Sequence, residues 1–204
     1  NKVIDVEKTN IWTWLFNVYA DKNPKKFEFI LNVLTRKLKH PDERSERLFI
    51  LLSTEHGVGK TSYYHFWRAL TSAEHCVFYQ DFKTYNDGFN MLQACKLICY
   101  IDDCSGITKT EAQSLNSRVT CTDLRFNEKN EKAFVLNVCD ELILSTNENN
   151  VLYTVDQDRR QLYIRCSNIY KQNRAFFAPL YNEFNNKDVM FAWFIFLTKG
   201  RECP

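Results

Sequence analysis

Apolar positions recur along the chain at two different spacings, and the change of spacing divides it. In TNIWTWLFNVYA, residues 9–20, a Thr/Asn start is followed by Trp12, Leu15, Phe16 and Tyr19 at helical intervals. PKKFEFILNVLTRKLKH, residues 24–40, continues as a longer amphipathic helix that Pro41 and the charged DERSER stretch bring to an end. Short apolar runs then take over: RLFILLS (47–53), CVFYQDF (76–82), KLICYIDD (96–103), ELILSTN (141–147) and QLYIRCS (161–167) read as strands. KTSYYHFWRAL, YNDGFNMLQAC and TKTEAQSLNSRV between them read as helices, and DLRFNEKNEKAFVLN as a hairpin. The closing NRAFFAPLYNEFNNKDVMFAWFIFLTK is helical again and rich in aromatics. Strands alternating with helices predict an α/β fold with a parallel sheet covered on both faces. The expected division is a helical lead-in over residues 1–45, suited to oligomerisation, and a core over 46–204 with a short helical C-terminal cap.

The 204 residues suffice for one sizeable domain that needs no staples. With 27 Lys plus Arg against 25 Asp plus Glu, bulk charge does not announce a nucleic-acid binder, so any such surface is local. Eight cysteines are scattered without CxxC pairs, several inside apolar strands, as expected of reduced thiols in an intracellular protein. No leader peptide is visible, and no apolar run approaches the roughly 18 residues of a membrane span, so no membrane partner is expected. The first residue is Asn rather than Met, which points to a fragment of a longer chain.

Directly after LFILL comes STEHGVGKTS, residues 53–62. A phosphate-binding loop needs successive backbone N–H groups turned into one concavity at a helix N-terminus, a Lys for the β/γ phosphates and a Ser/Thr for Mg²⁺. Gly57, Gly59, Lys60 and Thr61 meet that requirement, although Thr54 stands where the strict pattern opens with Gly. Glu55, His56, Val58 and Ser62 complete the candidate nucleotide-binding loop, with His56 filling the turn rather than acting chemically.

A sheet of this kind also needs an acid at the end of a neighbouring buried strand to hold Mg²⁺ and its water. Asp102 and Asp103 end KLICYIDD. Asn147 ends ELILSTN and could orient the attacking water, although Asn is also a common turn residue. The aromatics Tyr63, Tyr64, Phe66 and Trp67 read as core and subunit contact rather than as base-stacking residues.

The order of these pieces, with FNEKNEKAFVLNVCDELILSTNENNVLYTVDQDRRQLYIRCS as its most specific stretch, resembles the superfamily 3 helicases of the viral and phage primase-helicase type, related to the poxvirus primase-helicase. The resemblance runs from about residue 10 to 198. It departs from the family at Thr54, usually Gly, and at Asp102–Asp103, more often Asp-Glu. It implies an AAA+-like P-loop NTPase that uses ATP and Mg²⁺, with Lys60 and Thr61 on phosphate and metal. Asp102 and Asp103 would manage metal and water, and Asn147 would be the sensor. Arg159 or Arg160 would reach a neighbouring subunit's nucleotide. It further implies a homo-oligomeric ring, hexameric by analogy, with an attached or associated primase or polymerase domain. Lys129, with Arg125 and Lys132 around the NEKN turn, would grip single-stranded DNA through its phosphates. Two other readings stay open: a weakened nucleotide- or DNA-binding assembly module, and a P-loop kinase of small molecules.

Overall fold

The computed structural model describes residues 4–149, 152 and 158–202. In chain order the elements are α1 (Asn10–Trp14), which runs on into a π-helical turn Leu15–Tyr19, α2 (Pro24–Lys39), β1 (Leu48–Leu52), α3 (Ser62–Thr71), β2 (Cys76–Tyr79) and α4 (Phe82–Tyr85). They continue with β3 (Ile98–Ile101), α5 (Lys109–Arg118), β4 (Asp123–Phe126), β5 (Phe134–Asn137), β6 (Glu141–Thr146), β7 (Gln161–Arg165), α6 (Arg174–Phe184) and α7 (Lys187–Thr198). Helix starts carry the side chains that satisfy their open N–H groups: Thr9 for α1, Asn23 before Pro24 for α2, and a reciprocal Thr108–Glu111 box for α5.

Two compact units emerge. One comprises the described residues up to Pro41, Glu55–Ser72 and those from Arg165 onward; the other comprises Asp42–Thr54 and the described part of Ala73–Ile164. The first is helical and held by aromatic rings. Trp14 meets Phe66 at 6.0 Å and Phe184 at 5.8 Å, and Phe66 meets Trp193 at 5.9 Å, mostly edge to face. Tyr63, Phe66 and Trp67 of α3 are buried, which makes them core. The Glu183 carboxylate accepts from the backbone N–H groups of Asn10 and Ile11 at 2.9 and 3.0 Å, tying α6 to the start of α1.

The second unit is built on a five-stranded sheet in the order β2-β3-β6-β1-β7, in which β1 with β6, β2 with β3 and β3 with β6 all pair in parallel. Every residue of β1, β3 and β6 is buried, matching the apolar runs of β1 and β3 and the Leu-Ile-Leu centre of β6. One layer of the core gathers Leu48, Ile50, Ile101, Leu115, Leu142 and Leu144. β4 and β5 form a separate antiparallel hairpin, Asp123 opposite Asn137 and Phe126 opposite Phe134.

The DERSER stretch does more than end a helix. Its Arg44 donates to the carbonyls of Asp140, Cys121 and Arg118, and Ser45 holds Glu141. Asp140, 1 % exposed, takes both carboxylate bonds from Arg118 at 3.0 and 2.9 Å. Arg118 precedes β4 and Asp140 follows β5, so a buried ion pair closes the open end of the hairpin.

YNDGFNMLQAC is not the helix its composition predicts. α4 stops at Tyr85, Gly88 takes φ +89°, and only a single 3₁₀ turn forms at Met91–Gln93. The Asn-Asp-Gly sequence explains the break, because Asp87 accepts the Phe89 N–H at 2.9 Å and offers the backbone a local turn in place of helix.

Candidate functional site

The predicted site residues fall into two groups, one in each unit. Glu55, His56, Gly57, Val58, Gly59, Lys60, Thr61 and Ser62 belong to the helical unit; Asp102, Asp103, Arg125, Lys129, Lys132, Asn147, Arg159 and Arg160 belong to the sheet unit.

In the loop, Gly57 and Gly59 sit at φ +72° and +99°, where a side chain is strained. Space is short as well. A Cβ on Gly57 would lie 2.9 Å from Gln172 Cγ, and one on Gly59 2.9 Å from the Phe177 ring and 3.3 Å from Trp14 Nε1. The Gly57 carbonyl accepts from Gln172 N–H at 2.9 Å, and Glu55 pairs with Lys171 at the surface. Val58 is buried, while His56 is exposed at the turn.

Lys60 is 9 % exposed, with its ammonium 3.5 Å from the Glu55 carbonyl. It also lies near Cys166: burial pushes that thiol up to about 12, and the Lys60 charge pulls it the other way. Thr61 is the N-cap residue of α3, and Ser62 shares a 3.0 Å hydrogen bond with Tyr181. Left-handed glycines leading into a helix N-terminus, with a buried lysine between, fit a polyphosphate.

In the sheet unit, parallel pairing brings the C-terminal ends of β1, β3 and β6 to one edge, the place where open α/β sheets bind ligands. Leu52 faces Thr146 and Ile101 faces Leu144. Asp102 follows β3 half-buried, its N–H on the Tyr79 carbonyl at 2.8 Å and its carboxylate accepting from the Ser145 hydroxyl. Asp103 is exposed at φ 42°, and Asn147 follows β6 half-buried. Thr146 donates to the Cys104 carbonyl at 2.6 Å, locking the two strand ends together. Ser145 was not among the sequence-predicted residues; only its place one step before the ELILSTN tip could have drawn attention to it.

The arginines lie at the other edge. The Leu48 N–H, at the start of β1, donates to the Arg160 carbonyl at 2.7 Å, which places Arg159 and Arg160 a strand length, roughly 13 Å, from the Leu52 end. Arg160 is spent on a two-pronged bond to Asp158, 2.9 Å on each prong, and Asp158 also accepts from Asn116. The Arg159 side chain is exposed. Asp156, the other acid near this pair, is outside the described residues.

Arg125, Lys129 and Lys132 are all exposed on the hairpin. Beside them stand apolar groups that the sequence reading passed over: Phe89 is 53 % exposed and Phe134 39 %. Asn90 links the Phe89 loop to the hairpin, donating to the Arg125 carbonyl and accepting from the Asn127 N–H, each at 2.9 Å.

A family model described as "Family of unknown function (DUF5906)" matches residues 51–160, just over half of the chain, from β1 through the acidic strand and hairpin to Arg160. The chain belongs to the DUF5906 family. Nothing among curated proteins matches it. Among solved structures, this DUF5906 chain is similar to the C-terminal region of NrS-1 in its apo form, with TM-scores of 0.79 and 0.77 at 22% identity in two structures. The alignments cover 98% and 94% of this chain and 50% and 48% of those. JCV helicase is a more distant likeness, with a TM-score of 0.54 at 10% identity over 89% of this chain and 53% of that one. The chain therefore spans about half the length of the structures it matches. The fold, helices with a central parallel sheet, is the one this chain shares with these structures. Among the described residues, no helix is long and apolar enough to cross a membrane.

Proposed function

We propose that this DUF5906 chain is the ATPase core of a superfamily 3 replicative helicase, hydrolysing ATP to move along single-stranded DNA and part the duplex. The observation that carries the reading is the sheet edge where the parallel strands β1, β6 and β3 end side by side, β6 followed by Asn147, β3 by Asp102, and β1 by the chain that continues into the glycine loop. A glycine loop following one strand, and an acid and an amide following its parallel neighbours, is a chain order suited to phosphoryl transfer to water.

In this reading Gly57, Gly59, Lys60, Thr61 and Ser62 hold the phosphates of ATP. Thr61, Asp102 and Asp103 would hold Mg²⁺, which would supply charge neutralisation to the phosphates. The Ser145 hydroxyl donates to one Asp102 oxygen and so orients the carboxylate. Asn147 orients the water.

Arg159 is the better finger of the two, since Arg160 already holds Asp158. Its distance from the Asp102 edge suits a group that completes a neighbour's site, and hence a hexameric ring of identical subunits inside the cell. Lys129, Arg125 and Lys132 grip DNA phosphates, and Phe89 and Phe134 beside them offer faces for base stacking. A linked primase or polymerase domain would supply the synthesis that unwinding serves.

The test is ATP-dependent release of a labelled strand from a forked DNA duplex. Release that requires ATP and disappears in Lys60→Ala is expected. ATP hydrolysis without release, by assembled protein, would contradict the helicase reading and leave a nucleotide-driven assembly module.

A further inference from the structure

Residues five apart on an α-helix point about 140° away from each other. Trp14 and Tyr19 nonetheless meet edge to face, ring centroids 5.0 Å apart. The turn between them is the cause. Leu15–Tyr19 is π-helical, and its wider winding swings Tyr19 back beneath Trp14. Such turns are rare and concentrate where a helix serves a function.

The Tyr19 hydroxyl donates to the Gly59 carbonyl at 2.9 Å and lies 3.4 Å from the Lys60 carbonyl. Its ring is 2 % exposed and held between Trp14 and Tyr63, the latter at 5.1 Å, so the hydroxyl has a fixed position. A trans peptide sets each carbonyl opposite the following N–H. Holding the Gly59 carbonyl on the helix side, while the Lys60 carbonyl accepts from the Tyr63 N–H at 3.0 Å, therefore turns the Lys60 and Thr61 N–H groups the other way. Gly59, at φ +99°, is the one residue of this pair whose backbone could otherwise swing freely. The Trp14 ring walls it on one side, with Nε1 3.3 Å from the Cβ position and buried without a hydrogen-bond partner.

We infer that Tyr19 is a positioning residue of the phosphate loop, set by the π-helical turn to hold the Gly59–Lys60 peptide with its N–H group facing a bound polyphosphate. The inference rests on the nucleotide-binding reading above and adds to it a residue outside every loop motif. It also assigns the N-terminal helix a part in the site beyond packing.

The experiment is titration of the whole chain with a fluorescent ATP analogue and Mg²⁺, for the unaltered protein, Lys60→Ala and Tyr19→Phe, alongside thermal unfolding of each. Tyr19→Phe keeps the ring and removes one donor, so binding about tenfold weaker with an unchanged unfolding midpoint is expected. Competition by inorganic tripolyphosphate should weaken by the same factor, because the affected contacts are to phosphate. Tyr19→Phe binding as tightly as the unaltered protein would overturn the inference while leaving the nucleotide reading intact. A loss of binding matched by a fall in the unfolding midpoint would overturn it in favour of a packing role. Failure of the unaltered protein to bind would overturn both.

Discussion

The glycine loop at Glu55–Ser62 and the hairpin turn at residues 127–133 are both short and charged, yet they are held in opposite ways. Phe177, Trp14, Tyr19 and Gln172 close around the first, and its Lys60 is buried. Lys129 and Lys132 of the second stand in solvent, and the hairpin is secured at its ends, by Asn90 near the turn and by Arg118–Asp140 at its base. The difference teaches what each can recognise. A tight loop with fixed peptide directions suits a small ligand of constant shape, whereas an exposed cationic turn suits a polymer whose phosphates repeat and whose bases vary.

The comparison can be broken most severely at the hairpin's base. Asp140→Ala leaves Arg118 buried and uncompensated, and should cost about 3–5 kcal/mol of unfolding free energy by urea titration. A loss below about 1 kcal/mol would mean the pair is wetter than its burial indicates. At the loop, Gly59→Ala must take on both φ +99° and contact with Phe177, and should weaken Mg-ATP binding roughly 100-fold, the equivalent of about 2.7 kcal/mol. Unchanged affinity there would mean that the loop is not held as tightly as its packing implies.

The hairpin should respond more gently. Phe89→Ala is expected to weaken single-stranded DNA binding by about 1–3 kcal/mol at any salt concentration, the value of one base stacked on an aromatic ring. Lys129→Ala should instead lower the salt dependence, by about 0.7 in the slope of log affinity against log salt. Equal behaviour of the two variants would remove the distinction between stacking and phosphate contact. Neither should alter ATP affinity in the absence of DNA.

How far these features were legible differs for a physical reason. β1, β3 and β6 are buried on both alternations, so their runs LFILL, ICYI and ELILST announce themselves, and the polar residues that end them mark the sheet edge. The loop stood out because Gly, Lys and Thr each answer a separate requirement that a phosphate loop would have. YNDGFNMLQAC misled because Tyr85, Phe89 and Leu92 keep helical spacing while Asn-Asp-Gly sets a competing turn. Phe89 was hidden with it, since exposure depends on that turn. Arg44 and Asp140 are far apart in sequence, and no local pattern reports a pairing of that range. Tyr19 was read as one of the apolar positions of its helix; a π-helical turn has no sequence signature that separates it from an α-helical one, so its bond to Gly59 became visible only in three dimensions.

The most direct test of the account is ATP hydrolysis by the chain over a range of protein concentrations, with and without single-stranded DNA, beside Lys60→Ala. Turnover that rises with DNA, climbs faster than linearly with protein and vanishes in Lys60→Ala is the predicted result. Negligible turnover in both proteins, with assembly and nucleotide binding verified, would contradict it.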